Sequence, residues 1–229
     1  MAVIHDINIT KIEDCYQDTK KGRTWYHDKF GSYLINRLNI YSKNESIYIY
    51  KDGIYKRNEN DIMRAIQFYC RDAKECFRKE VSKYIQVSAP VLEIKDNVNL
   101  IGCKNGVYNI QDNTFGDYSQ DLFLQHKIQA DYNPNAKCSA VDKMLDKITC
   151  NNKAVRSLIE EMIGYCLYRN CRYQKVFLLR GFGKNGKSTL IESIQNMLGE
   201  ENTSALSLNN LQDKFKVAER LKELVVLNG

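Results

Sequence analysis

Two prolines, Pro90 and Pro134, are all that the 229 residues contain, and the 12 glycines form no repeat. Collagen-like and proline-rich low-complexity architectures are excluded by that scarcity. No stretch approaches the roughly 18 apolar residues that a membrane span needs. The start, Met1-Ala2-Val3-Ile4-His5-Asp6, lacks the basic-then-apolar order of a secretory signal. A soluble, intracellular protein without a membrane partner is expected. None of the eight cysteines stands in a Cys-x-x-Cys pair, and His5, His27 and His126 lie far apart. With no secretory signal the reducing cytosol is the expected compartment, so free thiols are expected rather than a disulfide framework, while the missing Cys-x-x-Cys spacing means that a zinc site would need ligands gathered from distant segments.

What is present is a globular composition, 43% hydrophobic and 27% charged, in a chain long enough for one large or two small domains. The net charge of +6 is unevenly spread: residues 1–90 carry +4, residues 91–170 carry −1 and residues 171–229 carry +3. A polyanion partner fits such basic ends, and so does an ordinary solvated surface.

Residues 1–24 show no clear period and read as a poorly ordered lead-in. From His27 to Asn39, Phe30, Tyr33, Leu34 and Leu38 recur at helical spacing. Ser46–Tyr50 and Ile54–Lys56 are β-prone runs flanking Lys51-Asp52-Gly53, a hairpin signature. The hairpin's Tyr48, Tyr50 and Tyr55 lie near Lys51, Lys56 and Arg57, as a nucleic-acid stacking platform would require. More often such tyrosines simply pack a sheet face. Asn58 or Asn60 is placed to cap a helix striped by Ile62, Ala65, Ile66, Tyr69 and Cys70, and a further helix over Phe77–Ile85 ends before Pro90. Asn99–Gly102 and Val107–Ile110 read as strands about an Asn-Gly turn, with another β segment around Phe115. Helices follow over Cys138–Ile148 and Lys153–Tyr168, the second with Val155, Leu158, Ile159, Met162, Ile163 and Cys166 on its apolar face.

Val176-Phe177-Leu178-Leu179 is an unbroken apolar run of the kind a doubly buried parallel strand requires. It leads into Gly181-Phe182-Gly183-Lys184-Asn185-Gly186-Lys187-Ser188, which fits G-x-x-x-x-G-K-[ST] at each required position. From Thr189 to Leu198 a helix is expected, closed by Gly199. Glycines let the backbone turn its N–H groups toward phosphates, and the helix start adds its positive dipole end. Lys187 would reach the β and γ phosphates of ATP and carry the catalytic role, while the Ser188 hydroxyl would join a Mg²⁺ shell. Gly181, Phe182, Gly183, Lys184, Asn185, Gly186 and Thr189 complete the candidate nucleotide-binding set. The cradle alone fits an ATPase, a GTPase or a kinase. Leu211–Leu221 reads as a helix and Leu224–Leu227 as a second buried strand. Asp213, Glu219 and Glu223 lie at the wrong end of that strand to organise Mg²⁺ and water.

With these residues in place the chain resembles the phage and plasmid primase-helicase family, which is related to the poxvirus primase-helicase. The likeness lies in Asn99–Val107 followed by Ala130–Cys138, in Glu160–Leu167, in Gly181–Ser188 and in Leu208–Phe215. With the Tyr48–Tyr55 hairpin it covers roughly residues 25 to 229. The resemblance implies an α+β accessory domain over 25–150, followed over 151–229 by the first part of an α/β P-loop NTPase domain of the superfamily III, AAA+-like kind. It implies ATP and Mg²⁺ as cofactors, single-stranded or forked DNA as partner, self-association into a hexameric ring, and a cytoplasmic setting in a bacterial host or a virus-infected cell. The family couples ATP hydrolysis to DNA unwinding. The sequence stops before the family's Walker B acids and arginine finger and leaves no room upstream for a primase domain, so the chain alone is expected to be inactive. The alternative reading is a shortened, non-catalytic DNA- or partner-binding module. A small-molecule kinase would require a substrate lid that no segment supplies.

Overall fold

The computed structural model describes residues 9–20, 22–57, 59–71, 73–170, 172–183, 185–205 and 225–227. It is a mixed α+β fold with small sheets, and it divides into two compact units: residues up to 96 with 119–125, and residues 97–118 with 126 onward.

In the first unit the segment read as an unstructured lead-in is organised from Ile9 onward. A 3-10 turn over Ile12–Cys15 leads into a hairpin of β1 (Tyr16–Thr19) and β2 (Gly22–Trp25). Sequence period missed it because what fixes the hairpin is tertiary. Cys15 is fully buried, and the Trp25 ring packs between Tyr16 and Phe30, with centroids 4.9 and 5.1 Å away. The helix α1 (His27–Leu38) follows as its period predicts, ending on Asn39 in the left-handed region. A meander comes next: β3 (Ile40–Lys43), β4 (Ser46–Lys51) and β5 (Ile54–Lys56), with Asp52 and Gly53 both at positive φ in the expected tight turn. Helix α2 (Glu59–Tyr69) begins one residue before Asn60, so Asn60 sits inside the first turn and does not cap it, while Asn58 lies outside the described residues.

Helix α3 (Glu75–Ser88) is longer at both ends than Phe77–Ile85 and still stops before Pro90. It packs on α1, where the Ser32 and Tyr84 hydroxyls share a hydrogen bond of 2.8 Å. Phe30, Leu34, Ile66, Val81 and Ile85 are sealed from solvent in this core. Each such side chain contributes about 1.5–3 kcal/mol through burial. A smaller cluster of Tyr55, Leu92 and Phe123 pins residues 119–125 to the meander, where the Tyr55 amide donates to the Leu124 carbonyl at 2.7 Å.

The second unit opens with another meander, β6 (Leu100–Cys103), β7 (Gly106–Asn109) and β8 (Thr114–Gly116). Its β6–β7 loop is Lys104-Asn105, neither at positive φ, so this is not the Asn-Gly turn that the sequence suggests. Gly106 is there for room: a Cβ would lie 2.6 Å from the Phe115 ring and 2.6 Å from the Gly116 carbonyl oxygen. Residues 126–130 run alongside β6, with the Ile128 amide donating to Gly102 and the Lys104 amide to Ala130.

Helices α4 (Ser139–Ile148) and α5 (Lys153–Leu167) come next, α5 capped by Asn152 accepting from the Ala154 and Val155 amides at 3.0 and 3.2 Å. Arg156 binds the pair together through Asp142 (2.6 Å), Asp146 (2.5 Å) and Glu160 (2.9 Å). On the expected apolar face of α5, Met162 is buried but Val155 and Leu158 are exposed.

The apolar run Val176–Leu179 forms no strand. It is irregular, with Val176 94% and Leu178 87% exposed. A strand draws its stability from ladder partners, and among the described residues none pairs with this run. Helix α6 (Lys187–Leu198) closes on Gly199, and its Leu190, Ile194 and Leu198 join Leu145 and Met162 in the second core. Two short strands, β9 (Thr203–Ala205) and β10 (Val225–Leu227), pair in parallel, so the second apolar run does become a strand. The helix expected over 211–221 lies outside the described residues. No helix among the described residues is long and apolar enough to cross a membrane.

Candidate nucleotide site

The glycine-rich loop is anchored at its downstream end. Gly186 sits at φ +86° immediately before α6, a conformation that side chains with a Cβ avoid. Space gives a second reason for glycine, because a Cβ at Gly186 would lie 2.6 Å from Ile148 Cγ2 at the end of α4. The far end of α6 is held as well: the buried Asn202 donates from Nδ2 to the Leu198 carbonyl (2.8 Å) and to the Lys127 carbonyl (2.9 Å). The helix start is thus a fixed platform whose first-turn N–H groups have no acceptor within the helix and whose dipole favours an anion.

Lys187, half-buried in the first turn, turns back over the loop. Its ammonium donates to the Gly181 carbonyl (2.9 Å), the Phe182 carbonyl (3.3 Å) and Asn185 Oδ1 (2.8 Å). The Asn185 amide lies against the Gly181 α-carbon, where a side chain would overlap it. Among the sequence-derived candidates the structure therefore brings together Gly181, Phe182 through its backbone, Asn185, Gly186 and Lys187. Ser188 and Thr189 are exposed on the first turn of α6, the Thr189 carbonyl accepting from Ser193 Oγ at 2.7 Å. Gly183 is open on its side-chain side, the Phe182 ring is 96% exposed, and Lys184 lies outside the described residues.

The donor set fits a nucleotide phosphate chain: a lysine with three mobile donors, glycines where side chains would obstruct, and a helix start below. An incoming phosphate would exchange for the loop oxygens that Lys187 now holds. Ser188 suits Mg²⁺ as one hard oxygen ligand beside phosphate and water. Among the described residues there is no group of three or more histidine, cysteine or carboxylate side chains arranged for a metal.

The hairpin tyrosines are packing residues. Tyr55 is buried, its hydroxyl donates to the Gln120 carbonyl at 2.6 Å, and its ring meets Tyr50 (4.8 Å) and Phe123 (5.4 Å). Burial pushes its phenol up to about 12. Tyr48 meets Phe123 edge-on at 5.4 Å. The three rings serve the small core, not a stacking platform.

The first unit instead holds a groove of about 690 Å³ that the sequence did not reveal, lined by Arg23, Trp25, Phe68, Arg71, Lys74 and Phe77 among others. Its residues come from β1 (Asp18), β2, the end of α2, the link between α2 and α3, and the start of α3, at no shared period. The available signal was the pairing of aromatic with basic residues in Arg23–Trp25 and again in Phe68–Arg71.

In comparison with known protein families, residues 9–150 match the family described as D5 N terminal like. No curated protein matches the chain.

Proposed function

The chain belongs to the D5 N-terminal-like family, the N-terminal domain of phage and viral primase-helicases, and on that premise we propose that it is the ATP-binding portion of a replicative DNA helicase. In this reading residues 25–150 are the accessory domain, and residues 151–229 begin a superfamily III ATPase domain. The complete ring, a hexamer, would couple ATP hydrolysis to unwinding of single-stranded or forked DNA.

One observation carries the nucleotide part of this reading: Gly181–Ser188 runs directly into a well-anchored helix, with the Lys187 ammonium held over the loop by its own oxygens. Lys187 would transfer its hydrogen bonds to the β and γ phosphates. Asn185, released from Lys187, would hydrogen-bond near the γ phosphate. Ser188 would turn its hydroxyl toward Mg²⁺, which neutralises phosphate charge when bound.

The test is titration of the chain with ATP in excess Mg²⁺ by isothermal calorimetry. Lys187→Ala removes charge-assisted bonds worth about 1.5–3 kcal/mol, so affinity should fall about 10- to 150-fold. Chelating Mg²⁺ should weaken wild-type binding. Equal affinity of wild type and Lys187→Ala would defeat the assignment.

A further inference from the structure

We propose that the groove of the first unit is a binding site for single-stranded nucleic acid, separate from the nucleotide loop, with bases on its aromatic walls and phosphates on its cationic rim. The aromatic side is built for contact. Trp25 is half-buried, backed by Tyr16 and Phe30, and Phe77 stacks on Phe30 with planes 19° apart. Phe68 stands at the rim 72% exposed, its neighbour Tyr69 edge-on at 5.1 Å. Phe68 offers an exposed π face on a groove that the half-buried Trp25 also lines.

The charged side is cationic. Arg23 lies 3.7 Å from the Tyr16 ring centroid and is tied to Asp18 at 2.9 Å, which leaves that carboxylate engaged. Arg71 and Lys74 are exposed, and among the described residues neither has a carboxylate within ion-pair distance. Arg71 and Lys74 on a groove lined by aromatic residues are the combination that a single strand matches, since it presents bases and phosphates together. A duplex hides its base faces and satisfies only half of the groove.

The chain carries its own reporter, for Trp25 is the only tryptophan. Its emission, excited at the red edge to avoid the 15 tyrosines, is read during titration with a fluorescein-labelled oligothymidylate of about 15 nucleotides at low salt, with anisotropy measured in parallel. A saturable change in Trp25 emission tracking the anisotropy is expected. Phe68→Ala should weaken binding about tenfold, the loss of one stacked base. Arg71→Ala with Lys74→Ala should flatten the slope of log affinity against log salt by about 1.4. All three side chains are exposed, so these variants should keep the wild-type circular dichroism.

Oligonucleotide binding that leaves Trp25 emission unmoved and is indifferent to the three substitutions would overturn the proposal, as would no binding at low salt. Thymidine monophosphate producing the full emission change at equal nucleotide concentration would also overturn it, marking a mononucleotide pocket. Lys187→Ala should leave this titration unchanged, so failure here and failure of the nucleotide reading are separately visible.

Discussion

The core of the first unit and the run entering the glycine-rich loop of the second are built from the same kinds of residue, yet one is sealed and the other open. Phe30, Leu34, Ile66, Val81 and Ile85 are fully covered, whereas Val176 and Leu178 are almost wholly in solvent. The first set lies on helices that form from local periodicity and then find each other within about 60 residues. The second is a strand candidate, and a strand owes its order to ladder partners. Apolarity marks what can be buried, and the neighbours decide whether it is.

The largest break in this contrast should come from Phe30→Ala, which removes a ring touching Trp25, Tyr33, Tyr69 and Phe77. A loss of about 3–5 kcal/mol is expected in denaturant unfolding followed by Trp25 emission. Gly186→Ala should come next, about 1–3 kcal/mol from the left-handed backbone alone, with the Ile148 overlap added. Thermal unfolding would show that cost, and weaker ATP binding would accompany it.

A pH series would sharpen the comparison further. Burial pushes the thiols of Cys15 up to about 11 and of Cys70 up to about 12, from an ordinary value of 9.0, with Asp14 adding to the first and Cys15 to the second. The folded state therefore favours their protonated forms. Their contribution is fully present below about pH 9 and is lost as the pH rises toward about 12, so denaturant midpoints should fall across that window. A flat profile there would show that these thiols titrate as they do in the unfolded chain. The smallest effect belongs to Val176→Ser, expected within about 0.5 kcal/mol of wild type because nothing covers the side chain. A larger cost would mean that the run is paired in solution.

Helices α1, α3, α4, α5 and α6 and the β4–β5 hairpin were legible because period, caps and the Asp-Gly pair act within a few residues. The β1–β2 hairpin was not, since Trp25 is fixed by Phe30 rather than by any alternation of its own. Gly106 was seen as a turn signal when its function is to admit the Phe115 ring. In the glycine-rich loop the residue types that make it a candidate phosphate cradle stand out from spacing alone. The closure of Lys187 onto Gly181, Phe182 and Asn185 does not, because spacing carries no information about where a flexible ammonium settles. The groove was least legible, its walls being separated by some 50 residues of chain.

The Arg156 clasp bears on behaviour under heat. One guanidinium joins three carboxylates across α4 and α5, and a network of this kind weakens less on warming than isolated contacts do, because the cost of stripping water from ions declines with temperature. The α4–α5 pair should then be the last part of its unit to loosen as temperature climbs, leaving Ile148 beneath Gly186 after more peripheral segments have melted.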